Sequence, residues 1–163
     1  MTDFFQAYDL RVTYPDQIDE ETAERVGKAY GTFTDADEVL VGRDGRKHGE
    51  KITEAFIQGI LSTGTDVCSA GMVPTPVVYF GQVENSFKSA AVVTASHNPP
   101  EYTGFKFNLE GALAMSRSGG MEEIENIYES QEFETGEGEI RETDLVQDYI
   151  EAVKNEVGDI GIS

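Results

Sequence analysis

Apolar residues recur with helical spacing in two segments of the first half of the chain. Positions three or four residues apart predict one helix over 19–33 and a second over 50–61. The apolar positions are Ala23, Val26, Tyr30 and Phe33 in the first segment and Ile52, Phe56 and Ile60 in the second. Asp19 is placed to cap the first helix, and Gly64 suits the backbone turn that ends the second.

Short continuous apolar runs alternate with these helices and predict buried strands. The runs are 39–41, 65–68 and 90–93. Thr75 before Pro76 predicts a third helix that runs toward Val83, with Thr75 as its N-cap. The order strand, helix, strand, helix, strand is typical of an α/β fold, here a three-layer α/β/α domain around a mixed, mostly parallel sheet.

The rest of the chain has a weaker pattern. An extended piece over 4–14 precedes the first helix, and 104–113 could hold two short strands. A further helix is indicated by Met121, Ile124 and Tyr128. The polar, charged stretch 133–142 predicts a loop or a mobile connection. Asp144, three residues before Gln147, has the spacing of a capping box and predicts the start of a final helix.

Net charge restricts the partners. The 163 residues include 31 acidic and 12 basic side chains, a formal charge of −19. Such a surface repels phosphate backbones, and no Lys/Arg cluster is interleaved with aromatic residues, so nucleic-acid binding is disfavoured. The acidity either serves solubility or reflects adaptation to high salt, where screening relieves self-repulsion. Any anionic substrate would need a locally cationic pocket.

The chain carries no pattern for a membrane or for an oxidising compartment. No stretch approaches the roughly 20 apolar residues of a membrane helix, and residues 1–5 lack the basic start of a signal peptide. Cys68 is the single cysteine and lies in an apolar run, which predicts a core residue. We therefore expect a cytoplasmic protein with no membrane partner.

The segment after the third apolar run carries the most chemistry. A predicted buried strand ends in the sequence TASHNPP over 94–100. Ligands of α/β sheets gather at the carboxyl ends of strands, so Ser96 lies where a nucleophile would be presented. His97 adds a hydrogen-bonding side chain, and Lys106 could bring a positive charge back to the same edge. From these residues alone, a polar strand-to-loop turn without chemistry stays an open alternative.

Other motifs with known chemistry do not match. No G-x-S-x-G surrounds Ser96 and no histidine follows His97, so a Ser-His-Asp hydrolase is a poor fit. A G-x-x-x-x-G-K-[ST] loop is missing, and no G-x-G-x-x-G has an acidic residue at the expected distance. ATP-type and dinucleotide sites therefore lack support.

The segment TASHNP over 94–99 resembles the phosphoserine loop of the phosphohexomutases, the phosphomannomutase/phosphoglucomutase family. Further segments agree with that family in order: FQAYDLR at 5–11, VGRDGR at 41–46, VPTP at 73–76 and GFK at 104–106. Family members have four domains. The chain is similar to domain I alone, so residues 1–163 are expected to form that domain without domains II–IV.

The resemblance implies phosphoryl transfer through a phosphoserine. Ser96 would donate its phosphoryl group to one end of a hexose phosphate and recover it from the other end of a bisphosphate intermediate. Arg11 and Lys106 would transfer protons or stabilise charge around the substrate oxygens, and His97 would position the phosphoserine or the substrate. Phosphoryl transfer rests mostly on positioning and charge neutralisation, which cationic side chains supply.

Arg43 and Asn98 complete the predicted site as substrate-binding residues. The resemblance also implies Mg²⁺, held partly by the phosphate on Ser96 and partly by an Asp-Gly-Asp-x-Asp loop of the second domain, which this chain lacks. Glucose 1,6-bisphosphate or a similar molecule is implied as activator. The implied partners are hexose phosphates and domains II–IV, so the chain alone should turn over weakly or not at all.

Two alternatives stay open. One is a noncatalytic phosphate- or protein-binding module derived from the same domain, and the other is a folding fragment without a ligand. Near the motifs, Asp44 is predicted to brace its turn, Arg46 to point into the same mouth, and His48 to be an exposed loop residue. Val12 and Thr103 stand where the family usually has Gly and Asn, which affects substrate positioning rather than the class of reaction.

Overall fold

The computed structural model describes residue 5 and residues 9–158, which form a sheet between two layers of helices. The strands are β1 (Leu10–Thr13), β2 (Glu38–Arg43), β3 (Asp66–Met72), β4 (Ala90–Val93), β5 (Tyr102–Leu109), β6 (Leu113–Ala114) and β7 (Ile140–Glu142). The helices are α1 (Glu20–Phe33), α2 (Gly49–Leu61), α3 (Thr75–Glu84), α4 (Met121–Ser130) and α5 (Val146–Val157). None of these helices combines the length and apolarity needed to cross a membrane.

The sheet is mixed, with one strand opposing the rest. Its order is β1-β5-β4-β2-β3-β7, and β6 pairs with β5 beside this path. β4, β2, β3 and β7 pair in parallel, whereas β5 is antiparallel to β1, β4 and β6. Six of the seven described strands therefore run in one direction, which confirms the predicted mixed, mostly parallel sheet.

Each face of the sheet has its own apolar core. Val39 and Val41 of β2 contribute to the core under α1, α2 and α4, whereas Leu40 between them faces the core under α3. This alternation follows from the two-residue period of a strand that is covered on both faces. The three-layer architecture is confirmed.

The observed N-cap agrees with the predicted one at α1 and differs from it by one residue at α3 and α5. Asp19 caps α1 by accepting a hydrogen bond from the Thr22 amide at 2.8 Å. At α3 the cap position is Pro74, because the Val77 amide bonds to its carbonyl, and Thr75 is the first helical residue. Asp144 accepts from the Val146 amide but lies one residue before the cap of α5, so its predicted cap position is wrong.

The prediction of two short strands over 104–113 is confirmed in number but wrong in bounds, since the first strand begins at Tyr102 and the second begins only at Leu113. β5 is one continuous strand of eight residues. Its first half pairs with β1 and its second half with β4, so a neighbouring strand supports the backbone throughout. The chain turns only after Leu109, through Gly111 at φ 74°, before β6 folds back on the end of β5.

The charged stretch 133–142 contains a strand, so the prediction of a loop over its whole length is wrong. β7 pairs in parallel with β3 at the edge of the sheet. The Glu139 amide donates to Asp66 Oδ1 at 2.7 Å, and the Arg141 guanidinium bonds to both carboxylate oxygens of Glu38 at 2.5 and 2.6 Å. All three side chains of β7 are exposed, so no apolar pattern marks it in the sequence.

Cys68 is a core residue, as predicted. It is fully buried in the apolar layer under α3 and carries no disulfide. Burial raises the pKa of the Cys68 thiol, because the thiolate would lose its hydration. The thiol therefore stays protonated and acts as a small apolar side chain. Residues 4 and 6–8 of the predicted N-terminal extended piece lie outside the described residues.

Candidate functional site

Two loops meet at the carboxyl edge of the sheet because β2 and β4 are parallel neighbours. Arg43, the last residue of β2, is in register with Val93, the last residue of β4. The Asp44 amide then bonds to the Val93 carbonyl at 3.0 Å, which holds the two loops side by side. On the other side of β4, the Thr94 amide bonds to the Gly104 carbonyl of β5 at 2.9 Å. The strands thus fix both ends of the loop that carries Ser96.

Ser96 lies exposed at the tip of this arrangement, in a backbone conformation that L-residues rarely adopt. Its φ is +56°, in the left-handed region, which costs a residue other than glycine about 1–3 kcal/mol. The bend brings the Ser96 hydroxyl to 3.3 Å from Nδ1 of the adjacent His97. Neighbouring side chains in an extended strand would point to opposite sides. The hydroxyl is therefore presented to solvent beside an imidazole.

Asp44 braces its own turn, as predicted, and in addition holds the loop of Ser96. Its Oδ2 accepts a hydrogen bond from the Thr94 hydroxyl at 2.7 Å, and the oxygen of that hydroxyl accepts from the Ser96 amide at 2.9 Å. The same carboxylate accepts from the amide and from Nε of Arg46, at 3.1 and 3.0 Å. A chain of hydrogen bonds thus connects the end of β2 to the backbone of Ser96.

Arg46 does not point into the mouth of the site, which corrects the sequence-based prediction. Its Nη1 and Nη2 atoms donate to four backbone carbonyls of the neighbouring loop, while Nε is bonded to Asp44. The carbonyl acceptors are Ser96 at 3.1 Å, Asn98 at 2.8 Å, Pro99 at 2.6 Å and Tyr102 at 2.9 Å. These acceptors are 50 to 56 residues away in sequence, so no local pattern reveals them.

Arg11 and Lys106 lie on the same face of the sheet. Leu10 and Val12 of β1 face the core under α1 and α2, so Arg11 between them faces the other side. Lys106 has the same relation to Phe105 and Phe107 of β5. The structure therefore brings these two cations together, as the sequence predicts.

Asp9 holds the two cations together. Its Oδ2 accepts from Arg11 Nε at 2.8 Å, contacts Arg11 Nη2 at 2.8 Å and lies 3.6 Å from Lys106 Nζ. The remaining arm of Arg11, Nη1, donates to Asn98 Oδ1 at 3.0 Å, two residues beyond Ser96. Asp9 is 7% exposed; burial raises the pKa of Tyr79 on α3, and the Asp9 carboxylate adds a smaller effect in the same direction. The sequence analysis did not single out Asp9, although the FQAYDLR segment contains it.

β1 can approach β5 this closely only because residue 104 is glycine. Arg11 is directly opposite Gly104 in the antiparallel ladder. A Cβ atom at residue 104 would overlap the carbonyl of Leu10. The glycine of the GFK motif therefore sets the distance between the strand of Arg11 and the strand of Lys106. The two departures from the family pattern also meet here, since Val12 pairs with Thr103 in the same ladder.

Arg43 and His48 occupy the margin of the site. Arg43 is half-buried at the end of β2 and donates from Nη1 to the Asp44 carbonyl at 3.2 Å. His48 is not an exposed loop residue as predicted. Its ring stacks on Tyr14 with centroids 4.9 Å apart, and Nε2 lies 3.1 Å from the Tyr102 carbonyl. The turn from Arg46 to the start of α2 folds the imidazole back against β1 and β5.

Positive charge is concentrated at this edge. Five of the chain's 12 lysines and arginines lie there, against a formal charge of −19 for the whole chain. They are Arg11, Arg43, Arg46, Lys47 and Lys106. Beside the Ser96 loop is an open groove of about 690 Å³, lined by the 44–48 turn and by Asn98, Pro100 and Glu101. The edge therefore combines an exposed hydroxyl, cations and open space.

The described side chains do not by themselves fit the Mg²⁺ ion that the resemblance implies. In residue 5 and residues 9–158, no three His, Cys, Asp or Glu side chains are grouped as metal ligands. Near Ser96, the carboxylates of Asp9 and Asp44 are both engaged with arginine side chains. The described residues of this chain therefore do not provide an Mg²⁺ site of their own.

Comparison of the sequence and the fold with known proteins identifies the family of this chain. Residues 2–135 match the family described as "Phosphoglucomutase/phosphomannomutase, alpha/beta/alpha domain I". The chain belongs to the phosphoglucomutase/phosphomannomutase family. The resemblance drawn from the TASHNP, GRDGR and AYDLR segments is thereby confirmed at the level of the family and of its first domain.

Individual relatives agree over nearly the whole chain. A phosphoglucomutase/phosphomannomutase from Thermococcus kodakarensis is 35% identical over 166 residues, covering 96% of this chain and 36% of that protein. A phosphomannomutase sequence from Klebsiella pneumoniae is 32% identical over 151 residues, covering 90% of this chain and 96% of that sequence. The crystal structure of a family protein from Burkholderia thailandensis superposes with a TM-score of 0.86 at 32% identity, covering 96% of this chain and 36% of that one. The chain thus spans about a third of the length of the Thermococcus and Burkholderia proteins.

Proposed function

We propose that residues 1–163 are the phosphoserine-bearing domain of a cytoplasmic phosphohexomutase that acts together with domains II–IV. The observation that carries this proposal is the exposed Ser96 hydroxyl on its left-handed turn, 3.3 Å from His97 Nδ1. Arg11 is tied to the same loop through Asn98. The substrates would be hexose phosphates, and the absence of nucleic-acid and membrane partners stays a prediction.

The reaction would consist of two phosphoryl transfers between the 1- and 6-positions of the sugar. In the first, a hydroxyl oxygen of the hexose phosphate attacks the phosphorus on Ser96, the Oγ–P bond breaks, and the hydroxyl proton ends on Oγ. In the second, Ser96 Oγ attacks the other phosphate of the resulting bisphosphate. That ester bond breaks, and the Oγ proton ends on the sugar oxygen. The serine is phosphorylated again at the end of the cycle.

The proposed roles of the cations follow from charge. A phosphoserine carries about −1.5 to −2 charge at pH 7, and the incoming substrate carries another phosphate. Arg11 and Lys106 would neutralise these groups during transfer. An arginine stays charged under all working conditions, so Arg11 suits charge stabilisation, whereas Lys106 can also move a proton. Asp9 would keep both side chains in place before the phosphate arrives.

The remaining residues would orient the substrate. His97, adjacent to the hydroxyl, would position the phosphoserine or the substrate, and Arg43 and Asn98 would bind substrate at the margin. If Mg²⁺ takes part, the phosphate on Ser96 would be the ligand from this chain, and the others would come from the second domain. Glucose 1,6-bisphosphate suits the role of activator because it can return a phosphoryl group to Ser96.

Transfer of a labelled phosphoryl group tests the proposal. We expect the chain, incubated with ³²P-labelled glucose 1,6-bisphosphate and Mg²⁺, to gain label on Ser96. Ser96→Ala removes the accepting oxygen and should abolish the label. Ser118→Ala removes an exposed serine away from this edge and should leave it unchanged. Phosphopeptide mapping of the digested protein identifies the labelled residue.

Other outcomes separate the alternatives. If the folded chain takes no label, the catalytic proposal fails. Calorimetric binding of a hexose phosphate without label would then favour a noncatalytic phosphate-binding module. If the chain neither binds a hexose phosphate nor takes label, the remaining interpretation is a folding fragment without a ligand. Label that persists in Ser96→Ala would contradict the assignment of the nucleophile.

The acidic surface is the basis of a separate proposal, that the chain is adapted to high salt. The Debye length falls from about 10 Å at 0.1 M salt to about 3 Å at 1 M, which relieves repulsion between surface carboxylates. We expect the melting temperature to climb steeply through molar KCl. A triple variant, Glu132→Gln, Glu134→Gln and Glu137→Gln, removes three exposed charges and should flatten the dependence. A flat curve for the unmodified chain would exclude salt adaptation.

A further inference from the structure

We infer that Arg46 is the positioning residue of the Ser96 loop, fixing the nucleophile through the backbone without binding the transferred phosphoryl group. This inference rests on the proposed function of Ser96. Arg46 lies on the turn after β2, 50 residues before Ser96, and its side chain is 13% exposed. Three features of its surroundings support this role.

The first feature is that the guanidinium has no donor left for a ligand. A guanidinium carries five N–H groups in a rigid plane. Arg46 Nε donates to Asp44, Nη1 donates to the carbonyls of Pro99 and Tyr102, and Nη2 donates to the carbonyls of Ser96 and Asn98. These are five hydrogen bonds for five N–H groups. A phosphate could bind Arg46 only by displacing the loop.

The second feature is that the loop has few hydrogen bonds of its own. Pro99 and Pro100 have no amide hydrogen, so two donors are missing from the segment that follows Ser96. Within the turn, the Asn98 amide donates to the Ala95 carbonyl and the Tyr102 amide donates to the Pro99 carbonyl. Arg46 adds four bonds to carbonyls of residues 96–102 and therefore supplies much of the loop's order.

The third feature is that both backbone groups of Ser96 depend on Arg46. The Ser96 carbonyl accepts directly from Nη2. The Ser96 amide bonds to the Thr94 hydroxyl, which bonds to Asp44, whose carboxylate is held by Arg46 Nε. A residue other than glycine at φ +56° keeps that conformation only while its surroundings hold it. Arg46 thus maintains the bend that presents the hydroxyl.

The test uses Arg46→Lys and Arg46→Ala in the full chain. A lysine has one nitrogen and three donors, so it cannot hold carbonyls on both arms of the fork. The initial rate of Ser96 labelling is measured over a range of ³²P-labelled glucose 1,6-bisphosphate concentrations. We expect the maximal rate in Arg46→Lys to fall about 100-fold, the scale of a 1 Å misplacement. The half-saturating concentration should stay within about threefold, because the cations proposed to bind the donor, Arg11, Arg43 and Lys106, lie on strands outside the loop.

Two controls separate positioning from general stability. Arg141→Lys removes a two-pronged contact to Glu38 at the opposite edge of the sheet and should leave the labelling rate unchanged. Free guanidinium ion at millimolar concentration should restore part of the rate to Arg46→Ala, since it can occupy the vacated space between the carbonyls. A variant that had merely lost stability would not be rescued in this way.

Several outcomes would overturn the inference. A raised half-saturating concentration with an unchanged maximal rate would make Arg46 a substrate ligand, and unchanged kinetics would leave it no role. If the unmodified chain takes no label, the proposed function fails, and the positioning claim is decided by amide hydrogen exchange. Arg46→Lys should then speed exchange at Ser96 and Asn98 at least about tenfold relative to Arg141→Lys, and equal exchange rules the positioning role out.

Discussion

Replacing Phe56 with alanine is expected to lower the free energy of unfolding by about 4 kcal/mol. Phe56 on α2 is fully buried, and its ring lies 5.8 Å from that of Tyr30, 4.8 Å from Phe105 and 6.2 Å from Phe107, measured between centroids. Removing it opens a cavity among rings held by two helices and by β5. Urea unfolding measures the loss, and the melting temperature should fall by about 10 °C.

Phe80→Ala is the matched control for this prediction. Phe80 lies on α3, on the other side of the sheet, where it is half-buried and meets Tyr149 edge-on at 5.5 Å. Its truncation removes less buried surface and should lower the free energy of unfolding by about 1–2 kcal/mol. Equal losses in the two variants would mean that the aromatic cluster under α1 and α2 is not the main core of the domain.

Gly59→Ala is expected to destabilise the fold by about 3 kcal/mol, even though alanine favours helices over glycine by about 1 kcal/mol. Gly59 lies on α2 where that helix crosses α1. A Cβ atom there would overlap the carbonyl of Glu24 and lie 2.8 Å from the amide of Lys28. Backbone atoms of a helix cannot move aside as a flexible side chain can, so the helices must separate. Denaturant unfolding followed by circular dichroism measures the change.

Gly49→Ala supplies the comparison within the same helix. At Gly49 the nearest atom to an added Cβ lies 3.6 Å away, which is an ordinary contact. The same substitution should therefore be neutral, or stabilise by up to about 1 kcal/mol through helix propensity. If Gly59→Ala also proved neutral, the close crossing of α1 and α2 would not be a constraint on the sequence.

The layered architecture could be predicted because its signals are local. Residues 39–41 and 90–93 are apolar at every position, as strands covered on both faces must be, and the helices between strands repeat every three or four residues. The capping role of Asp19 at α1 could be predicted because its hydrogen bond to Thr22 spans only three residues. Each of these features is determined by neighbours along the chain.

The features that sequence reasoning missed depend on contacts between distant segments. β7 has three exposed side chains and exists because its backbone pairs with β3. β5 is longer than the short strand that was predicted because β1 and β4 support it in succession. Periodicity reports burial of side chains, and it carries no information about which backbone groups find partners across the fold.

The candidate site divides in the same way. Ser96, Arg11 and Lys106 could be named from motifs, and the structure brings Arg11 and Lys106 together on Asp9 beside the Ser96 loop. The roles of Asp9 and Arg46 could not be inferred. Asp9 meets Lys106 only because β1 pairs with β5, and Arg46 donates to carbonyls that every residue type possesses. Both are visible only once the loops are placed side by side.

The position of β1 at the rim of the sheet has a consequence for synthesis on the ribosome. The hydrogen-bond partner of Arg11, Asn98, lies 87 residues further along the chain. β1 can pair only with β5, which is synthesised after Asn98. At about 5–20 residues per second, the delay is on the order of 10 s. In that interval α1, α2, β2 and β3 have already been synthesised and can begin to pack. We therefore expect a nascent chain to pair β2 with β3 first, and to complete the core under α1 and α2 together with the site of Arg11 only when β5 has emerged.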